Sequence, residues 1–229
     1  MLRTFVIGDI HGCYNSLESL LEKIEVADGD YLVFLGDYID RGPDSEKVIS
    51  RIIEIKSRHP RVITLMGNHE WMFLRYLEGS DRDNFLQAGG KPTLVSYGID
   101  PEDEEINAAD YIPDDHLNFL YNLLPYYEDP NYIYVHAGLQ PGKHLSQQHP
   151  DWCLWARDQF IYTKYDFGKQ VIFGHTTCKR PLVHPNKIGI DTGAVYGGEL
   201  TCLVLPEELF VSVPGIKKTF TAKVREFFS

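Results

Sequence analysis

Cysteine is scarce: Cys13, Cys153, Cys178 and Cys202 are the only four in 229 residues, and no two stand close together. That spacing favours reduced, isolated thiols over a disulfide framework or a zinc knuckle. No apolar run approaches the roughly 18 residues that a spanning helix needs. The N-terminal stretch Met1–Ile7 meets Gly8-Asp9 before the apolar core of a signal peptide could form. A cytoplasmic protein with no membrane partner is expected. Basic residues are also few, 22 Lys and Arg against 33 Asp and Glu, for a net charge of −11. A body of that sign does not hold a nucleic-acid backbone, because phosphate neutralisation needs clustered cations. Any anion site must then be a local positive pocket, and metal ions could supply its charge. Repeats, low-complexity tracts and linkers are missing as well, so a single domain over residues 1–229 is expected.

What is present is a set of short apolar runs that end in glycine. Phe5-Val6-Ile7 precedes Gly8-Asp9, Tyr31–Leu35 precedes Gly36-Asp37, and Val62–Met66 precedes Gly67-Asn68. Runs of this composition read as buried strands. Between them Leu17, Leu20, Leu21 and Ile24, then Val48, Ile52 and Ile55, recur at helical spacing. Strand–helix alternation implies parallel strands, with ligands gathered beyond their carboxyl ends. Residues 71–122 read as more helical and polar, with Glu102–Glu105 a solvated loop. Strands resume at Tyr132–Val135 and Val171–Phe173, and the runs at 187–190, 200–205 and 209–213 are spaced as an antiparallel meander.

Five of these strand ends carry metal-capable side chains. They are Gly8-Asp9-Ile10-His11-Gly12, Gly36-Asp37-Tyr38-Ile39-Asp40-Arg41-Gly42, Gly67-Asn68-His69-Glu70, His136-Ala137-Gly138 and Gly174-His175. One Gly-Asp is more often a turn than a ligand. Five such turns, supplying at least six oxygen and nitrogen donors suited to divalent Mn, Fe, Zn or Co, point to a metal centre. His59, His116, His144 and His149 lie outside this pattern and read as surface or loop histidines; His184 is likewise set aside. Glu70 is expected to support its turn, Asp191 to be a turn residue or a neighbour of the site, and the Tyr and Phe residues to be core.

These motifs, with Phe173-Gly-His-Thr-Thr and Ile190-Asp-Thr-Gly-Ala-Val-Tyr, resemble the phosphoprotein-phosphatase branch of the calcineurin-like metallophosphoesterases. Within it, the small phage-lambda-type serine/threonine phosphatases of bacteria are the most similar. The resemblance spans residues 5 to about 205. It implies an α/β fold, a central β-sandwich of two mixed sheets flanked by helices. It also implies two divalent metals per subunit, with Mn favoured and Fe, Zn or Co accepted. One metal would sit on Asp9, His11 and Asp37, the other on Asp37, Asn68, His136 and His175. His69, oriented by Asp40, would protonate the leaving group. Arg41, Arg157 and Asn68 would bind the substrate phosphate, and a metal-bridging hydroxide would attack phosphorus in line.

The expected substrate is a phosphoserine or phosphothreonine protein, with phosphotyrosine also accepted. The alternative is symmetrical hydrolysis of dinucleoside tetraphosphates, disfavoured because those enzymes tend to be longer. Eukaryotic members of the branch carry a longer C-terminal part that serves regulatory subunits and toxins, whereas this chain ends at Phe227-Phe228-Ser229. No regulatory subunit of that type is expected. Phosphatase-inhibitor toxins that need the extension should therefore inhibit weakly in a dose–response titration, and strong inhibition at low concentration would contradict this.

Overall fold

The computed structural model describes residues 2–216. The chain end at Phe227–Ser229 lies outside them. The first half alternates as the periodicity predicts: β1 (Thr4–Ile7), α1 (Tyr14–Lys23), β2 (Tyr31–Phe34), α2 (Ser45–Arg58), β3 (Val62–Thr64) and α3 (Asn68–Leu77). Short helices α4 (Arg82–Phe85), α5 (Lys91–Ser96) and α6 (Asp114–Tyr121) follow, with a π-helical turn at Leu86–Gly90 between α4 and α5. The second half holds β4 (Tyr126–Glu128), β5 (Tyr132–Val135), α7 (Pro150–Trp155), α8 (Asp158–Ile161), β6 (Gln170–Phe173), β7 (Leu182–His184), β8 (Lys187–Gly189), β9 (Glu199–Leu205) and β10 (Leu209–Pro214).

These strands form two five-stranded mixed sheets, ordered β10-β9-β1-β2-β3 and β4-β5-β6-β8-β7. β1, β2 and β3 run parallel in the first, and β5, β6 and β8 run parallel in the second. Strand periodicity explains why the apolar runs are continuous. Along β1, Phe5 and Ile7 face the helices while Val6 faces the other sheet; along β6, Val171 and Phe173 face α7 and α8 while Ile172 faces inward. Both faces of each central strand are therefore buried, and no polar alternation survives. Val6, Val33 and Leu203 meet Tyr134, Ile172 and Ile188 between the sheets, which makes the architecture a β-sandwich flanked by helices.

Two sequence expectations are corrected. The runs at 200–205 and 209–213 do pair as antiparallel β9 and β10, but the run at 187–190 contributes β8 to the other sheet. Spacing alone could not reveal that the chain changes sheets through the turn at Asp191–Gly193. His116 is not a surface residue. It is 3% exposed in α6, with Nδ1 2.8 Å from the Tyr97 hydroxyl and Nε2 3.1 Å from Ser50 Oγ. The polar flanks Asp114-Asp115 face outward in the first turn of α6 and masked a histidine that faces the core. Among the described residues no helix is long and apolar enough to cross a membrane.

Burial lowers the His116 pKa below its ordinary 6.5. An imidazole with a depressed folded pKa is neutral in the fold, so the unfolded chain takes up its proton first as pH falls. Stability linked to His116 should be fully present above about 6.5 and lost below it. Thermal midpoints from pH 8 to pH 5 should therefore fall less steeply in His116→Gln than in the wild type. Parallel slopes would show that His116 does not contribute.

Candidate metal centre

The carboxyl ends of all six parallel strands open on the same edge of the sandwich, and the turns that leave them carry the candidate residues. The backbone there is unusual. Seven non-glycine residues have positive φ among those described, and five of them are His11, Asp37, Asp40, Arg41 and His175. Side chains with a Cβ resist this region, so such conformations persist only where surrounding structure enforces them. The enforcement is visible. The Asp37 carbonyl accepts the N–H groups of Ile10 and His11 at 3.0 and 2.9 Å, which ties the first turn to the second. Glu70, fully buried, accepts N–H bonds from Asp37 (2.8 Å), Tyr38 (2.7 Å), Ile39 (3.2 Å) and Gly67 (3.0 Å). At Gly67 a Cβ would collide with Asp37, so only glycine lets the β2 and β3 turns close.

Around Asp37 the candidate side chains converge. His11 Nε2 lies 3.4 Å from Asp37 Oδ2, His136 Nε2 lies 3.4 Å from Asp37 Oδ1, and His69 Nε2 lies 4.0 Å from Oδ2. Two groupings have ligand atoms within 4.8 Å of one another: His11, Asp37 and His69, and Asp37, His136 and His175. The Asn68 side-chain oxygen sits 3.0 Å from both His136 Nε2 and His175 Nδ1. Asp9 is brought to the same edge, with both carboxylate oxygens on the His175 amide at 3.1 and 3.0 Å.

The hydrogen bonds fix which atoms are free. His11 Nδ1 donates to the Ile39 carbonyl at 2.8 Å, and His136 Nδ1 donates to the Leu35 carbonyl at 3.0 Å. Each Nε2 is thereby left as a lone pair that faces a carboxylate. His175 Nε2 is buried with no partner. At His136 lone pair thus opposes lone pair, an arrangement that is repulsive unless a cation or proton intervenes. Burial raises Asp9 and Asp37 well above the usual carboxylate range, reinforced by Asp191 at Asp9 and by Glu70 at Asp37. Burial also pushes His136 down to about 3 and His175 to about 2. Carboxylates and imidazoles all driven toward neutrality around an orphaned nitrogen are what a divalent cation would reverse. The donor set fits metal ions.

The remaining candidates surround this cluster. His69 Nδ1 is 2.6 Å from Asp40 Oδ2, with both side chains buried. Burial raises Asp40 to about 7, opposed by the Thr93 hydroxyl, which donates to Asp40 Oδ1 at 2.6 Å. Arg41 donates to His11 Nε2 at 2.6 Å, the lone pair a metal would take, and lies 5.5 Å over the Tyr196 ring. Arg157 is exposed at the N-cap of α8, where its charge lowers the pKa of His136 and His175. Asp191, 5% exposed, accepts from the Thr177 hydroxyl at 2.7 Å and the Gly193 N–H at 2.9 Å, and its charge bears on Asp9.

Sequence reasoning missed three supports. Thr93 aligns Asp40 from 53 positions away. Gly89, at φ +111°, packs its Cα on Arg41 and accepts the Arg41 N–H at 2.8 Å; the Gly-Gly-Lys-Pro run at 89–92 was its one signal. Lys187 is fully buried and donates to the carbonyls of Phe160 and Thr163 at 2.7 and 2.8 Å. It closes the C-terminal end of α8, the helix that presents Arg157.

A family model described as calcineurin-like phosphoesterase matches residues 2–179. The asymmetrical bis(5'-nucleosyl)-tetraphosphatase PrpE of Halalkalibacterium halodurans is 30% identical, the match covering 97% of this chain and 98% of the relative. A crystal structure of a protein proposed to be a diadenosine tetraphosphatase superposes with a TM-score of 0.71 at 26% identity, over 94% of each chain. A cold-active protein-tyrosine phosphatase from a psychrophilic Shewanella shares the fold, with a TM-score of 0.67 at 20% identity over 89% of this chain and 75% of that one.

Asp37→Asn is expected to weaken divalent-metal binding at both groupings, measured by equilibrium dialysis. Glu70→Gln touches no metal atom but loosens the turn that aims Asp37, and a loss of roughly 10–100-fold in metal affinity is expected. Unchanged affinity in both variants would remove Asp37 from the centre.

Proposed function

The chain belongs to the calcineurin-like phosphoesterase family, and from that premise we propose that it hydrolyses dinucleoside tetraphosphates asymmetrically, to a nucleoside triphosphate and a nucleoside monophosphate. The observation that carries this reading is the end-to-end likeness to a tetraphosphatase of that specificity, over 97% of one chain and 98% of the other. Length had been the argument against a dinucleotide. It has no force against relatives that align from end to end. The relatives are named as asymmetrical enzymes, not as the symmetrical ones that the sequence resemblance suggests as an alternative.

Asp9, His11 and Asp37 would hold one metal; Asp37, Asn68, His136 and His175 would hold the other. Bound there, the pair would supply positive charge to the phosphoryl oxygens and lower the pKa of a water. The chain's own groups do the rest. Arg41 and Arg157 draw the polyphosphate into an otherwise acidic protein, Arg41 from the inner edge and Arg157 from the rim. His69 gives a proton to the leaving oxygen from Nε2, while Asp40 holds Nδ1 at 2.6 Å and stabilises the imidazolium.

A second reading, protein phosphatase activity, is supported by the strand-end motifs shared with that branch and by the opening of the site at an edge of the sandwich. The two readings differ in leaving group. A serine alkoxide needs protonation, whereas a nucleoside triphosphate leaves as a stable anion, so the general acid matters less. With Mn2+ supplied, diadenosine tetraphosphate should be hydrolysed to AMP and ATP with a higher kcat/KM than a phosphoserine peptide. His69→Asn should depress peptide hydrolysis by about 10²–10⁴-fold and dinucleotide hydrolysis by less. A peptide preference in the wild type would replace the dinucleotide reading with the protein-phosphatase one.

A further inference from the structure

The chain contains three tryptophans, and two of them meet at the rim of the metal centre. Trp71 and Trp155 come from different helices, α3 and α7, and their rings stand 6.4 Å apart at 87°. Each is 38% exposed. Trp155 also stands edge-on to His175, 6.3 Å between centroids. Trp71 is three positions after Asn68 on α3, so it lies about one turn along the helix from the centre on the same face. The Arg75 guanidinium lies over the Trp71 ring, 5.8 Å from its centroid. Arg157 follows Trp155 by two residues.

An edge-to-face pair can serve only to pin two helices together, but pinning gives no reason for both rings to stay wet beside a candidate ligand of the metal centre. Two perpendicular indoles form a corner that takes a flat aromatic group with its face against one ring and its edge against the other. The chemistry proposed above places such a group there. With attack at the phosphorus that carries one nucleoside and the triphosphate leaving, that nucleoside's base lies only a ribose away from the proposed metal centre. The other base is separated by the remaining phosphates. A corner that touches His175 is at the distance of the near base. We propose that Trp71 and Trp155 form the binding corner for the purine base of the nucleoside monophosphate half of the substrate, an inference that rests on the dinucleotide reading.

The probe pair is AMP and ribose 5-phosphate, which share sugar and phosphate and differ by the base. Tryptophan fluorescence of the metal-loaded full chain, read in the first seconds after mixing, reports binding without relying on turnover. AMP should quench the signal and bind more tightly than ribose 5-phosphate by about 5- to 150-fold, the range that stacking a base on an aromatic side chain supplies. That ratio should fall at least about fivefold in Trp71→Leu, in Trp155→Leu, or in both. A purely structural pair would lower the thermal midpoint in these variants and leave the ratio alone. Equal affinity for the two probes in the wild type, or a ratio unchanged in both variants, overturns the proposal. So does a preference for phosphotyrosine with none for AMP, which would assign the corner to a peptide ring. Failure of the dinucleotide reading is separable. It shows as no cleavage of diadenosine tetraphosphate while the AMP preference and its dependence on Trp71 or Trp155 persist.

Discussion

The Glu70 carboxylate, sealed from water and holding four backbone N–H groups from two different turns, is the interaction on which the rest of the site depends. It draws the turn after β2 against the turn after β3. Asp37 is thereby fixed between His11 on one side and His136 on the other, and Asn68 is placed at the start of α3 facing His136 and His175. Burial raises the Glu70 carboxyl to about 7 even though its backbone bonds pull against that rise. A carboxylate spent on orienting backbone is an expensive way to shape a loop, since each N–H must be satisfied without solvent. It is a reasonable one where ligand atoms must hold their positions before a metal arrives.

Electrostatics link this local arrangement to the whole molecule. The chain carries a net charge of −11, yet the proposed substrate is itself highly anionic. Arg41 and Arg157 are the cations at the centre, and neither outweighs the buried Asp9, Asp37, Asp40, Glu70 and Asp191. The opposed lone pairs of His136 and Asp37, and the unpartnered His175 nitrogen, mark where further positive charge belongs. Phosphate recognition and metal binding are on this account one property of the edge.

Much of this was legible in the sequence for a physical reason. A strand buried on both faces reads as an unbroken apolar run, and a turn that must present a ligand at its carboxyl end reads as Gly-Asp, Gly-Asn or Gly-His. Four such turns, with His136 directly after the apolar run of β5, declared the edge on which the candidate ligands gather. The sheet change after β8 was not legible, because β8 and β9 have the same composition and differ only in partner. His116 was misread because the acidic residues beside it face water while it faces Tyr97 and Ser50. Thr93 and Lys187 left no local mark, since each acts on atoms distant in sequence. The meeting of Trp71 and Trp155 was not legible either, because composition does not say which indoles remain exposed.

The most direct test of the account is the metal stoichiometry of the wild-type chain, measured by elemental analysis after dialysis against Mn2+ and removal of free ion. Two equivalents per chain are predicted, because Asp37 sits between two groupings of donors. A chain that retains no metal would contradict the centre itself. Retention of only one would contradict the shared role assigned to Asp37.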